Sequence, residues 1–331
     1  MAVPTVVAAP DKFRGTASAA EIALAVARAA ASSGWDCDRV PVSDGGEGFC
    51  GILGGRARLA RVHDPLGRLV EAEWRMLDDD RTAVVEMALA SGLELVGGAE
   101  HNDPVAAGTA GTGELIAEAV KAGARRVLVG VGGSATTDGG LGALDALTPH
   151  SRLRGVELVV GWDVATTFVD AAAAFGPQKG ATPAQVRLLT RRLERLVQVY
   201  RSRFGVDVAG LAGAGAAGGL AGGLAALGAV LVRGFDLVAD TVDLAGRMEE
   251  ADLVVTGEGF LDDESFNGKA VGGVATLAAE LGVPVLVVAG DGEGPQPVPY
   301  VSLVDRFGAA RATADPCGCV AEVVGERLRA G

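Results

Sequence analysis

The sequence predicts an α/β protein whose parallel sheet is covered on both faces. Three observations carry that expectation. Short apolar runs rich in β-branched residues alternate with segments of helical spacing along most of the chain. Polar, glycine-bearing turns follow the apolar runs. With 331 residues, 49% of them hydrophobic, the chain is long enough for two domains and a sizeable core.

Taken in order, TVVAAP is an apolar run that stops at Pro10 and reads as a buried strand. SAAEIALAVARAAAS has helical spacing, with Thr16 or Ser18 as its start signal. DRVPVS reads as a second strand ending at DGGEG. TAVVEMA is a strand, GTGELIAEAVKAG a helix and RRVLVGVG a strand. TPAQVRLLTRRLERLVQVYRSRFG is one long amphipathic helix with an Arg-rich exposed face. GLAGAGAAGGLAGGLAALGA follows, with seven glycines between Gly210 and Gly223. A disordered linker would be polar, whereas leucines and alanines run on here through Leu227. The segment therefore reads as a glycine-rich loop feeding a tightly packed helix. ADLVVTGEG is a strand, KAVGGVATLAAELG a helix and VPVLVVAGD a strand. YVSLVD reads as a short strand before the final helix VAEVVGERLRA.

Composition excludes several function classes. A net charge of −13 argues against a nucleic-acid polyanion or an anionic membrane as partner. No apolar run reaches the ~18 residues of a membrane span. MAVPTVVAAPDKFRG has no basic region before its apolar run and reads as a first strand, not a secretory signal. Cys37, Cys50, Cys317 and Cys319 lack zinc-site spacing, so reduced thiols and a cytoplasmic location are expected. Only four of the 29 basic residues are lysines, and Lys12, Lys179 and Lys269 each stand beside a glycine-bearing turn. A compact ammonium suits a phosphate that moves.

Five polar turns follow strands: PDKFRG, SDGGEG, GGSATTDGG, GWDV and TGEGFLDD. In a doubly wound sheet the ligand lies at the carboxyl ends of the strands, so these turns are expected to converge on one edge. Within GVGGSATTDGG, glycines 130, 132, 133, 139 and 140 let bare backbone approach a ligand. Consecutive amides in such a turn form an anion-binding concavity, and Ser134, Thr136 and Thr137 add hydroxyl donors. Asp138 can hold Mg²⁺ or accept a proton. The carboxylates Asp44 to Glu47 and Glu258, Asp262, Asp263 and Glu264 strengthen a reading of metal-assisted phosphoryl transfer. No Walker-type loop or protein-kinase set is present. GAGAAGG follows a helix rather than a strand, which excludes the dinucleotide reading. His63, His101 and His150 lie apart in polar loops.

APDKFRGTASAAEIA, VSDGGEG, VVEMALASGLELV, GTGELI, GVGGSATTDGGLGALDAL, FGPQKGATPAQV, GAGAAGGLAGG and LVVTGEG with Asp262 and Gly268-Lys269 together resemble the glycerate kinase type 1 family. They stand in that family's order and span nearly the whole chain. The resemblance implies ATP- and Mg²⁺-dependent phosphorylation of D-glycerate, generally at the 2-hydroxyl. It implies two α/β domains, one a flavodoxin-like doubly wound parallel sheet, with the active site in the interdomain cleft. The expected division is 1–60 together with 245–331, and 61–244 between them. Asp44, Arg14 and Asp11 are expected to be catalytic, with Lys12, Glu47, Asp163, Phe260 and Ala110 at the acceptor. Gly132, Gly133, Ser134, Thr136, Lys179 and Lys269 are expected to hold nucleotide, and Asp138, Glu258 and Asp262 the metal. The expected partner is a small hydroxylated molecule, with no nucleic acid and no membrane; a homodimer is left open.

Departures from the family pattern concern the acceptor. The family's D-x-D-N-P-L stands here as Asp163-Val164-Ala165-Thr166-Thr167-Phe168, after a shortened segment. Phe260 replaces an arginine in T-G-E-G-R-I-D. Asn102 and Gly108-Thr109-Ala110 stand where an arginine and T-S-[YF] are usual. Two cations and an aromatic ring are gone, so a larger sugar or cyclitol stands beside D-glycerate as the expected acceptor. The rivals are a non-catalytic ligand-binding relative and a nicotinamide oxidoreductase. The retained carboxylates weigh against the first, and the missing strand-linked fingerprint against the second.

Overall fold

A computed structural model describes residues 3–266 and 269–330 of the chain. Its tertiary contacts fall into two units, one holding the chain up to Asp44 and from Phe235 onward, the other Gly45–Gly234. The strands are β1 (Thr5–Ala8), β2 (Asp36–Arg39), β3 (Arg56–His63), β4 (Leu69–Met76), β5 (Thr82–Glu86), β6 (Arg126–Gly130), β7 (Glu157–Trp162), β8 (Val230–Arg233), β9 (Leu253–Leu261), β10 (Val285–Gly292) and β11 (Tyr300–Ser302).

The first unit carries a five-stranded sheet in the order β2-β1-β9-β10-β11, with every pairing parallel. Counted along the chain this is 2-1-3-4-5, the flavodoxin-like doubly wound order. The helix Ala19–Ser32 begins at Ser18, whose side chain forms a capping box with Glu21. It packs with the helix Pro316–Arg329 over β1 and β9, burying Val6, Ala8, Ile22, Val26, Val323 and Val324. The segment read as a DRVPVS strand is shifted. Regular pairing covers Asp36–Arg39, after which Val40 N and Val42 N still donate to Ala8 O and Pro10 O. Pro41 has no amide to donate, which interrupts the ladder there. YVSLVD is likewise divided. Ser302 accepts a hydrogen bond from Asp305 N, so Leu303–Phe307 turns into a helix after three strand residues.

The second unit carries a six-stranded sheet in the order β3-β4-β5-β6-β7-β8. Strands β5 to β8 run parallel, while β3, β4 and β5 pair antiparallel. The β3–β4 hairpin is absent from the sequence expectation because β3, RARLARVH, is an edge strand with mostly exposed residues and no apolar run. The long helix Pro183–Phe204 starts at a capping box of Thr182 and Gln185 and buries Leu189, Leu193, Leu196, Val197 and Tyr200. The glycine-rich stretch forms a turn at Ala216–Gly219 and a wholly buried helix, Leu220–Ala226. A methyl carbon on Gly223 would lie 2.6 Å from Gly139 O, and one on Gly218 only 2.0 Å from Thr136 O. The glycines thus seat this helix directly on the 136–140 backbone. At the ends of the unit, a methyl carbon on Gly45 would lie 3.2 Å from Gly234 Cα.

The five polar turns do not converge on one sheet edge. PDKFRG and TGEGFLDD close strands of the five-stranded sheet, while GGSATTDGG and GWDV close strands of the six-stranded sheet. SDGGEG spans the boundary, with Asp44 in the first unit and Gly45 in the second. Two sheets of similar strand pattern cannot be told from one in a linear alternation.

Gly218 combines φ +65° with that close approach. Gly218→Ala should therefore lower unfolding free energy in urea by about 2 kcal/mol or more; an unchanged midpoint would show that the 216–219 turn relaxes without cost.

Candidate functional site

The first unit contains a pocket of about 590 Å³ at the carboxyl ends of its strands. Asp11, Lys12, Arg14, Asp44, Glu258, Phe260, Asp262 and Lys269 all line it. The PDKFRG turn is fixed by Asp11 N donating to Gly257 O of β9, and by Phe13, which is buried beneath it. Asp11 Oδ1 accepts from Lys12 N at 2.6 Å. Burial, with Asp44 and Glu258 nearby, pushes the Asp11 carboxyl up to about 7 despite that bond. Burial also raises Glu258, whose Oε1 is buried without a hydrogen-bond partner. Asp262 Oδ1 accepts from Ser265 N and Oγ, which ties it into the turn after β9. Lys269 pairs with Glu264 at 3.3 Å; its neighbour Gly268 lies outside the described residues. Phe260 is 48% exposed on the pocket wall.

The second unit contains a pocket of about 820 Å³. Gly132, Gly133, Ser134, Lys179, Glu47 and Asp163 line it, and Leu59, Leu89, Leu93, Leu95 and Phe175 supply an apolar wall. Leu59 is 67% exposed on the β3–β4 hairpin, so this wall opens to solvent. Glu47 and Asp163, expected at the acceptor with Lys12 and Phe260, therefore stand among residues expected to hold nucleotide. Lys269 makes the opposite exchange. Glu86 places the chain around Glu47 by accepting from Gly48 N and Cys50 N.

Three expected site residues stand outside the lining of both pockets. Asp138 was expected to bind metal, but its two oxygens accept from Thr109 N and Oγ1, Gly140 N and Gly142 N. That set of bonds joins the starts of two helices, Ala110–Lys121 and Leu141–Ala146, and makes Asp138 a buried structural clamp. Thr136 is fully buried and its hydroxyl donates to Ala217 O. Ala110 starts a helix packed against Gly142 and is not part of either pocket's lining.

Sequence reasoning missed Asn102 as a structural partner of the glycine turn. Its Nδ2 donates to Ala135 O and to Lys179 O. No signal in one sequence pairs position 102 with 135 and 179. Lys179 is 3% exposed, and burial pulls its ammonium down to about 7 against the opposing pull of Asp138 and Asp163.

The described residues contain no group of three or more His, Cys, Asp or Glu side chains placed to hold a metal ion. They also contain no helix long and apolar enough to cross a membrane.

Residues 6–150 and 148–309 match the model of the glycerate kinase family. The glycerate kinase of Bacillus subtilis is 40% identical over 323 residues, covering 86% of this chain and 84% of that one. The glycerate 2-kinase of Escherichia coli is 38% identical over the same shares. A crystal structure assigned to glycerate kinase 2 of Salmonella typhimurium LT2 superposes with a TM-score of 0.85 at 33% identity, covering 100% of this chain and 99% of that one.

Two outcomes test these assignments. Asp138→Ala strands buried donors, so it should cost about 3 kcal/mol or more in urea unfolding. A variant as stable as the parent would show that these bonds do not clamp the fold.

The second concerns Asp11. Its carboxyl keeps a proton up to about pH 7 when folded but only to about 4 when unfolded. The folded chain therefore holds more protons in that window, and stability falls as pH rises through it. Asp11→Asn removes this slope. It should raise stability at pH 8 by about 1–3 kcal/mol and leave it unchanged at pH 3.5. An equal effect at both pH values would assign the change to packing.

Proposed function

The chain belongs to the glycerate kinase family, phosphotransferases that act on an alcohol group, and we propose that it transfers phosphate from ATP, with Mg²⁺, to a hydroxyl of D-glycerate or a related polyhydroxylated acceptor. One observation carries this reading: each unit holds its own pocket, and the family's motif residues line both. The pocket of the second unit offers bare backbone and an apolar wall, which suits phosphates and a base. The pocket of the first unit offers Lys12 and Arg14 beside Asp11 and Asp44, which suits an acid bearing hydroxyls.

In this reading Arg14 and Lys12 hold the acceptor's carboxylate. Asp44 accepts the proton of the attacking hydroxyl as its oxygen bonds to the γ-phosphorus and the bond from that phosphorus to the bridging oxygen breaks, releasing ADP. Asp11, protonated near neutral pH, donates a hydrogen bond to the acceptor. Gly132, Gly133 and Ser134 receive the nucleotide's phosphates on their amides. Mg²⁺ takes few protein ligands and several phosphate oxygens and waters. The described residues hold no three-carboxylate cage, which suits that habit, and the unpartnered Glu258 Oε1, with Asp262, would supply the protein's share. Bound there, the ion would neutralise charge on the transferring phosphoryl group.

A second reading rests on Phe260. An exposed aromatic ring stands on the wall of a pocket larger than a three-carbon acid needs, which favours a sugar or cyclitol acceptor.

The deciding measurement is ADP release with D-glycerate, sugars and cyclitols, with Mg²⁺ and with chelator. D-glycerate should be used at kcat/KM above about 10⁴ M⁻¹s⁻¹, Asp44→Asn should lower this about 10²–10⁴-fold, and chelation should stop it. A cyclitol used far better than glycerate would establish the second reading, and no turnover with any acceptor would sink both.

A further inference from the structure

The carbonyls of the glycine turn are drawn into the protein one by one. Gly133 O accepts from Leu93 N at 2.9 Å, Ala135 O from Asn102 Nδ2 at 3.0 Å and Thr136 O from Lys179 Nζ at 2.8 Å. Ala135 N is taken as well, by Ser91 O. The amides of Gly132, Gly133 and Ser134 have no protein acceptor among the described residues, and these three residues line the pocket. Gly133 O, which shares a peptide with the Ser134 amide, is held by the protein, and the carbonyls of Ala135 and Thr136 fix the turn just beyond it.

Lys179 makes two of these restraints from a buried position. Besides Thr136 O, its ammonium donates to Ser134 Oγ at 2.7 Å. That bond occupies an acceptor position on the hydroxyl and leaves Ser134 its own proton to donate. The backbone on either side of Lys179 is fixed too. Lys179 O accepts from Asn102 Nδ2, and a methyl carbon on Gly180 would lie 2.3 Å from Ala99 O. The ammonium therefore has little freedom to leave the turn.

We propose that Lys179 is a positioning residue for the nucleotide's phosphates: by holding Thr136 O and Ser134 Oγ it turns the amides of 132–134 and the Ser134 hydroxyl toward the anion. This rests on the assignment of nucleotide to the second unit's pocket. The role differs from that of a phosphate-touching lysine, because it acts through the turn. It also accounts for a buried cation in a chain that otherwise favours arginine: the compact ammonium reaches two acceptors from a buried position.

The test is ATP binding by calorimetry together with steady-state kinetics, on the whole chain. Lys179→Met should raise the ATP Kd and KM roughly ten- to a hundred-fold and leave the acceptor KM within about a factor of two. The double variant with Ser134→Ala should cost less than the sum of the two single changes, since both act on one contact. A folded Lys179→Met chain with the parent's ATP Kd overturns the proposal, as does full additivity. Should Lys179→Met not fold, Ser134→Ala decides alone, with a several-fold weaker ATP Kd expected and an unchanged one overturning it. Failure of the parent to bind ATP overturns the nucleotide reading with it, whereas ATP binding that is indifferent to Lys179 overturns only the positioning role.

Discussion

Backbone packed on backbone, with no Cβ between, is the constraint on which the second unit depends. The 136–140 segment lies against Gly218, Gly219 and Gly223 at distances that admit no side chain. Once it is seated there, Gly139 O accepts from the buried Tyr200 hydroxyl, and Asp138 gathers the amides of two helix starts. The turn that reaches the pocket is the continuation of this anchored strip. Its flexibility as a sequence of glycines is spent on close contact, and the result is a rigid feature.

Much of the fold could be read from the residues. Ser18 and Thr182 mark helix starts because each has a capping partner three residues on. What the sequence hid has physical causes. The β3–β4 hairpin carries arginines and glutamates on its solvent face and is masked as polar loop. The second strand was displaced by Pro41, and the last by a serine cap. The assignment of turns to two sheets was not legible in the strand–helix alternation, since alternation is a local pattern and sheet membership is not; only the division implied by the family resemblance separated them. At the site, the residues that line the pockets were legible from glycine, lysine and carboxylate placement. Burial was not: Thr136 and Asp138 are buried, and neither they nor Ala110 line either pocket. Asn102 became meaningful only with its partners in view.

The two pockets divide the electrostatic work unequally. Lys12, Arg14 and Lys269 stand with carboxylates in the first unit, whereas the lining of the second holds one cation, Lys179, among several acids. An anion in the second pocket would be met chiefly by amide dipoles, which carry no net charge to be neutralised when the ligand leaves. That arrangement suits a nucleotide that must be released after each turnover.

The neighbouring ends of the inserted unit bear on how the chain finds its fold. The first unit is discontinuous, and β1 must pair with β9 across the whole of Gly45–Gly234. For an unfolded chain that contact carries the closure entropy of a very long loop. With Gly45 beside Gly234, a folded insert reduces the tether between the two halves to a few residues. The sheet's longest-range pairing would then close a loop made of the first unit's own residues alone, so prior formation of the inserted unit would lower its entropic cost.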